Sequence, residues 1–176
     1  MSYLQAGVLL ALLAAAAWVD ARNSRIPNVL VFSGAALGMA MSTLLPDGQG
    51  GLDSVEGLVV GLLLLLPLYL LRAMCAGDVK LMAMVGAFLG PVDVLGAAMA
   101  TFMLGGAMAV LLALKKGVLP AMLRNLRFLV IGSVVELAAG SVPRADALTA
   151  SAARMPYGIA IAAGTAAFLA WQRLQG

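Results

Sequence analysis

Gly57–Leu71 reads GLVVGLLLLLPLYLL, and after Arg72 the chain resumes at Cys75–Leu89 with CAGDVKLMAMVGAFL. The first run carries no charge; the second carries only Asp78 and Lys80. A helix on the surface of a soluble domain shows one apolar stripe, whereas these runs are apolar all round, as a segment enclosed by protein or lipid must be. Crossing a hydrocarbon core of about 30 Å takes about 20 such residues.

Working outward, comparable runs recur, and helices are expected at Leu4–Val19, Val29–Leu45, Val55–Leu71, Asp78–Leu89, Val92–Leu114 and Pro156–Trp171. The reading is an all-α, polytopic membrane protein of about six transmembrane helices, a single domain over residues 1–176. The punctuation agrees: Ile26-Pro27-Asn28 opens the second helix, Pro46-Asp47-Gly48 closes it, and Gly90-Pro91 separates the fourth from the fifth. No Lys or Arg precedes the first run and Arg22 and Arg25 follow it, the reverse of a secretory signal, so a retained helix is expected. The fourth helix is short, since Asp78–Leu89 extends only about 18 Å. Either it starts earlier, near Ala73, or it spans incompletely.

Composition supports lipid as the solvent. Hydrophobic residues make up 63% and charged residues 11%, with a mean hydropathy of +1.04, far from the roughly 25% charged content of soluble domains. The net charge of +3 does not indicate nucleic acid, because the basic residues sit between apolar runs without interleaved aromatics. They follow membrane topology instead. Arg22, Arg25, Arg72, Lys80, Lys115, Lys116, Arg124, Arg127, Arg144 and Arg154 lie in or beside the connections after helices one, three and five, which are expected in the cytoplasm. The other connections hold Asp47, Asp53, Glu56 and Asp93 and no Lys or Arg, with Arg173 near the C-terminus alone against the rule, so both termini are expected outside. Residues 117–155 are the least apolar part, and Met122–Phe128 reads as an amphipathic helix on the cytoplasmic interface; a further short span near 128–139 is open.

With no histidine and a single cysteine, Cys75, the chain has no disulfide, no His-based triad and no multi-cysteine zinc site; no metal or cofactor is expected. Chemistry falls to carboxylates. Asp20 ends the first helix, which runs inward, and Asp78 begins the fourth, which runs outward, so topology sets both at one cytoplasmic depth. The other acids on that side, Glu136 and Asp146, belong to the interfacial region. Each Asp singly has a plain structural account, Asp20 ending a helix beside Arg22 and Arg25, and Asp78 capping one beside a snorkelling Lys80. Intramembrane acids are nevertheless functional candidates, costing at least a few kcal/mol at a helix centre. Two carboxylates in proximity share a proton, so one takes a proton from water while the other donates to a carbonyl oxygen.

Three segments resemble the prepilin peptidase family of GxGD-type intramembrane aspartic peptidases. Cys75-Ala76-Gly77-Asp78-Val79-Lys80-Leu81 is similar to the family's GAGDVKL segment, with Cys75 in place of the first glycine. Asp20–Asn28 resembles its first catalytic segment, in which an Asp precedes Ile-Pro-Asn, and Arg154–Ala160 its Pro-Tyr-Gly segment. The resemblance implies a bacterial inner-membrane aspartic endopeptidase with Asp20 and Asp78 as catalytic carboxylates. It would remove the basic leader of a type IV prepilin at the cytoplasmic face. The chain resembles the minimal form associated with Flp-type, tight-adherence pili, which implies no methyltransferase activity. Pro27, Asn28, Gly77, Lys80 and Tyr157 are candidates for substrate contact, and the small faces at Gly57 with Gly61 or Gly105 with Gly106 for packing a substrate helix. Two other readings are a small transporter whose Asp20 and Asp78 relay protons or bind a cation, and a non-enzymatic pilus-assembly factor of the same fold, which Cys75 would favour.

Overall fold

The computed structural model describes residues 1–23, 25–45, 48, 50–70, 74–115, 117 and 157–175. They form five helices: α1 (Tyr3–Asn23), α2 (Asn28–Leu44), α3 (Gly51–Leu70), α4 (Ala76–Lys115) and α5 (Tyr157–Gln175). There is no strand among the described residues. By length and composition, α1, α3 and residues 76–112 of α4 are able to cross a membrane, and α2 is a shorter apolar helix. Large side chains such as Leu4, Trp18, Phe32, Leu63 and Met103 stand on the outside, where water would penalise them and lipid does not. The expected amphipathic helix, the optional span near 128–139, Glu136 and Asp146 lie outside the described residues.

α1 starts with a reciprocal cap. The Ser2 Oγ accepts from the Gln5 N–H at 3.2 Å, and Gln5 Oε1 accepts from the Ser2 N–H at 3.1 Å, which pairs two amides the helix leaves open. Its inward stripe is Gln5, Leu9, Leu13, Ala16 and Asp20, and the helix continues to Asn23, so Asp20 sits within its last turns and does not end it.

The short fourth helix expected from the sequence is the centre of the molecule. α4 begins at Ala76, and every residue from Leu81 to Gly90 is buried. It needs no full membrane-spanning length of its own because other helices, not lipid, surround it. Gly90 then leaves the helical region at φ 80, ψ 177, a conformation open to glycine. The helix resumes at once with Pro91, so the interruption falls at the expected Gly90-Pro91 position and the expected fourth and fifth helices are the two arms of α4.

Pro91 has no N–H to give to Ala87, four residues back, and that carbonyl would be an orphan. Ser54 Oγ of α3 donates to it at 2.6 Å and Ser42 Oγ of α2 at 3.4 Å, both hydroxyls being buried. At the same level α3 lies backbone to backbone on α4. A methyl at Gly57 would come within 2.7 Å of Gly90 Cα, and one at Gly86 would strike the Gly57 backbone. Gly57 and Gly61 are therefore consumed by the α3–α4 contact and do not form an open face for a substrate helix.

The second arm of α4 returns antiparallel to α5. Gly96 meets Phe168, Thr101 meets Gly164, and Gly105 meets Tyr157. α5 is in turn antiparallel to α1: the Arg173 guanidinium lies 3.9 Å over the Tyr3 ring at one end, and Gly158 meets Asp20 at the other. The two termini thus share an end of the bundle, and the N-terminus of α5 lies beside the C-terminal part of α1.

Candidate active site

Three chain segments far apart in sequence converge at the end of the bundle opposite the termini. Asp20 comes from α1, Asp78 from the first turn of α4, and Tyr157-Gly158 from the start of α5. Both carboxylates are buried, at 5% exposure each, and they lie within electrostatic range of each other.

Each is anchored by one main-chain amide. The Gly158 N–H donates to Asp20 Oδ2 at 2.9 Å, one of the four amides that the first turn of a helix leaves without an intrahelical partner. Glycine is required there by space, since a Cβ would lie 2.8 Å from Asp20 Oδ2 and 3.2 Å from its Cβ. The Cys75 N–H donates to Asp78 Oδ2 at 3.2 Å, while the Asp78 N–H donates to the Cys75 carbonyl at 3.1 Å. Asp78 therefore sits at the third helical position and reaches back to the residue before the helix, half of a capping box. This use of Cys75 is through its backbone; its side chain is exposed. In both cases the main-chain amide is held by Oδ2 of the carboxylate. Arg22, three residues from the end of the expected first helix, stacks instead over the Trp18 ring at 4.5 Å.

The remaining sequence candidates surround this pair. Ile26 packs on Gly77, where a Cβ would lie 3.3 Å from the Ile26 Cβ. Pro27, at φ −64 and ψ 132, is the extended residue that launches α2. Asn28 Oδ1 accepts from Lys80 Nζ at 3.0 Å, and the same ammonium lies 5.5 Å from the Phe32 ring centre. Lys80 thus spans from α4 to α2 with its ammonium on the exposed side. Tyr157 is half-buried, its hydroxyl against Gly105 and within electrostatic range of Asp78. That contact also occupies Gly105, leaving Gly106, with nothing within 4 Å, as the open member of the pair proposed for a substrate helix.

Gly158 is the site residue that the sequence reading did not single out. Its signal was present in Pro156-Tyr157-Gly158, but its contribution is an amide and an absent side chain. The described residues hold no cluster of three or more acidic or cysteine side chains fit for a metal. A cleft lined by Asp53, Leu89, Pro91, Val92 and Asp93 opens at the far end of the first arm of α4, away from this site.

Set beside known proteins, residues 7–110 match the model of the type IV leader peptidase family, a stretch that covers more than half of the chain and includes Asp20, Ile26-Pro27-Asn28, Asp78 and Lys80. No curated protein and no solved structure matches the chain.

Proposed function

We propose, from the premise that this chain belongs to the type IV leader peptidase family, that it is an aspartic endopeptidase which removes the leader of Flp-like type IV prepilins. What supports this reading is that Asp20 and Asp78, two buried acids from separate helices, lie within electrostatic range of each other and are each tethered by one main-chain amide.

Such a pair suits hydrolysis of an amide. One carboxylate, ionised, takes a proton from a water as its oxygen attacks the scissile carbonyl carbon. The other, protonated, gives its proton to the carbonyl oxygen. Collapse of the tetrahedral intermediate breaks the C–N bond: the amine leaves with the proton first taken from water, a hydroxyl of the intermediate returns its proton to the second carboxylate as the new carboxyl group forms, and the pair is back in its starting state. The amides of Gly158 and Cys75 hold the carboxylates in place through the cycle, which limits the motion that otherwise reduces such catalysis.

The charge pattern of the chain supports a cytoplasmic position for this end of the bundle in a bacterial inner membrane, with both termini outside. A prepilin with a basic leader followed by an apolar helix would then present its scissile bond at the depth of the acids. Leader removal without methylation is the expected activity. The test is purified protein with a pilin precursor, comparing wild type with Asp20→Asn and Asp78→Asn. Each substitution is expected to lower the rate of leader removal by about 10²–10⁴-fold. Wild-type rates from either variant would refute the dyad, and ion flux in liposomes abolished by both would favour a transporter.

A further inference from the structure

We propose that Asn28 and Lys80 form a strut that sets the separation and rotation of the two acids, making both positioning residues for the reaction; the inference rests on the dyad reading above.

Asp20 and Asn28 are eight positions apart, joined through the end of α1 and the turn into α2, and Asp78 and Lys80 are two positions apart on one helical turn. The bond from Lys80 Nζ to Asn28 Oδ1, at 3.0 Å, joins these two short segments away from the acids, while Ile26 packs on Gly77 between them. The result is a continuous path from Asp20 to Asp78, through the end of α1, the Ile26-Pro27-Asn28 turn, Lys80 and the first turn of α4. Within a helix, residues two apart point to different sides, so Lys80 grips the first turn of α4 from a direction that Asp78 does not use. The ring of Phe32, one turn beyond Asn28, lies under the same ammonium and limits where it rests.

The packing elsewhere shows why such a link is needed. α1 is bound to the bundle chiefly through α5 and only sparsely to α4. The tether on Asp20 comes from α5, and the tether on Asp78 comes from its own chain. Neither ties one acid to the other. The turn on Gly77 and the bond to Lys80 do, and they act on the turn of α4 that bears Asp78. A surface hydrogen bond of this kind adds little to overall stability. Its effect is expected in the rate, because misplacing a catalytic group by about 1 Å costs up to about 10²-fold.

The test is a cycle of Asn28→Leu, Lys80→Met and the double variant, assayed for kcat and KM of leader removal from a pilin precursor, with thermal stability measured in parallel. Each single change is expected to lower kcat about tenfold or more, with KM and Tm near wild type, and the double to be no slower than the slower single. Asn28→Asp, which keeps an acceptor for the ammonium, is expected to restore most of the rate lost in Asn28→Leu. Asn28→Ser, whose side chain is too short to reach Lys80, serves if the leucine variant does not fold and is expected to be slow as well. Wild-type kcat in the Asn28 variants would overturn the strut. So would losses that multiply in the double, or a rise in KM at unchanged kcat, which would make Lys80 a substrate contact. Asp20→Asn and Asp78→Asn in the same assay separate the failures: if they still cleave, the dyad is wrong, and if they do not while the cycle is additive, only the strut is.

Discussion

The first arm of α4 is pinned at both ends by backbone groups that its own helix cannot satisfy, and the two ends solve the problem differently. At the Gly90-Pro91 end, the surplus group is the Ala87 carbonyl, and neutral hydroxyls from Ser42 and Ser54 pair with it. At the Ala76 end, the surplus group is the Cys75 N–H, and a carboxylate pairs with it. The neighbouring α5 repeats the second solution, its Gly158 N–H meeting Asp20. In an environment with little water both pairings meet the same demand. A hydroxyl that donates to a carbonyl has answered that demand and has no charge to offer, whereas a carboxylate that accepts one N–H retains a second oxygen and a proton to exchange. The first end is therefore a fixed joint, and the second is a joint with spare chemistry.

Gly158→Ala offers the sharpest way to test that contrast. The added methyl would sit 2.8 Å from Asp20 Oδ2, so the carboxylate must move. The rate of leader removal is expected to fall about 10–10²-fold while the protein still folds, as read by kcat beside a melting curve. A wild-type rate would show that the tether on Asp20 is incidental.

At the other end the expected effect is on stability and not on the rate per folded molecule. Ser54→Ala removes the 2.6 Å donor from the Ala87 carbonyl and leaves only the longer bond from Ser42. A loss of about 1–3 kcal/mol is expected for a buried acceptor stripped of its main partner, measured by unfolding in detergent. If Ser54→Ala instead lowered kcat at unchanged stability, the two ends would be coupled and the comparison would fail. The smallest effect is expected at Gly106, which has nothing within 4 Å. Gly106→Ala should be neutral or stabilising by up to about 1 kcal/mol, the helix-propensity difference alone. A fall in cleavage there with stability intact would instead mark Gly106 as part of the face that receives a substrate helix.

Much of this layout was legible in the residues. The apolar runs predicted the helices to within a few positions, Gly90-Pro91 marked the break, and Asp20 and Asp78, singled out from the order of charges, are both buried. Ser2-x-x-Gln5 is a capping-box pattern visible in the sequence itself. Other features had no such signal. Gly158 contributes a main-chain donor, Ser42 and Ser54 pair with a carbonyl freed by a proline in a different helix, and Gly57 and Gly61 look as suitable for a partner helix as for the internal contact that uses them.

Apolar length, the glycine-proline interruption and the order of charges along the chain thus belong to the one-dimensional string, because each follows from local chemistry and from the thickness of the lipid. Which side of each helix turns inward does not. A helix that is apolar all round has no strong polar face to orient it, so direction is decided by where small residues let two backbones touch and where a freed amide or carbonyl finds a partner. Those partners are tens of residues away, as with Gly158 and Asp20 or Ser42 and Ala87, and only the packed molecule brings them together.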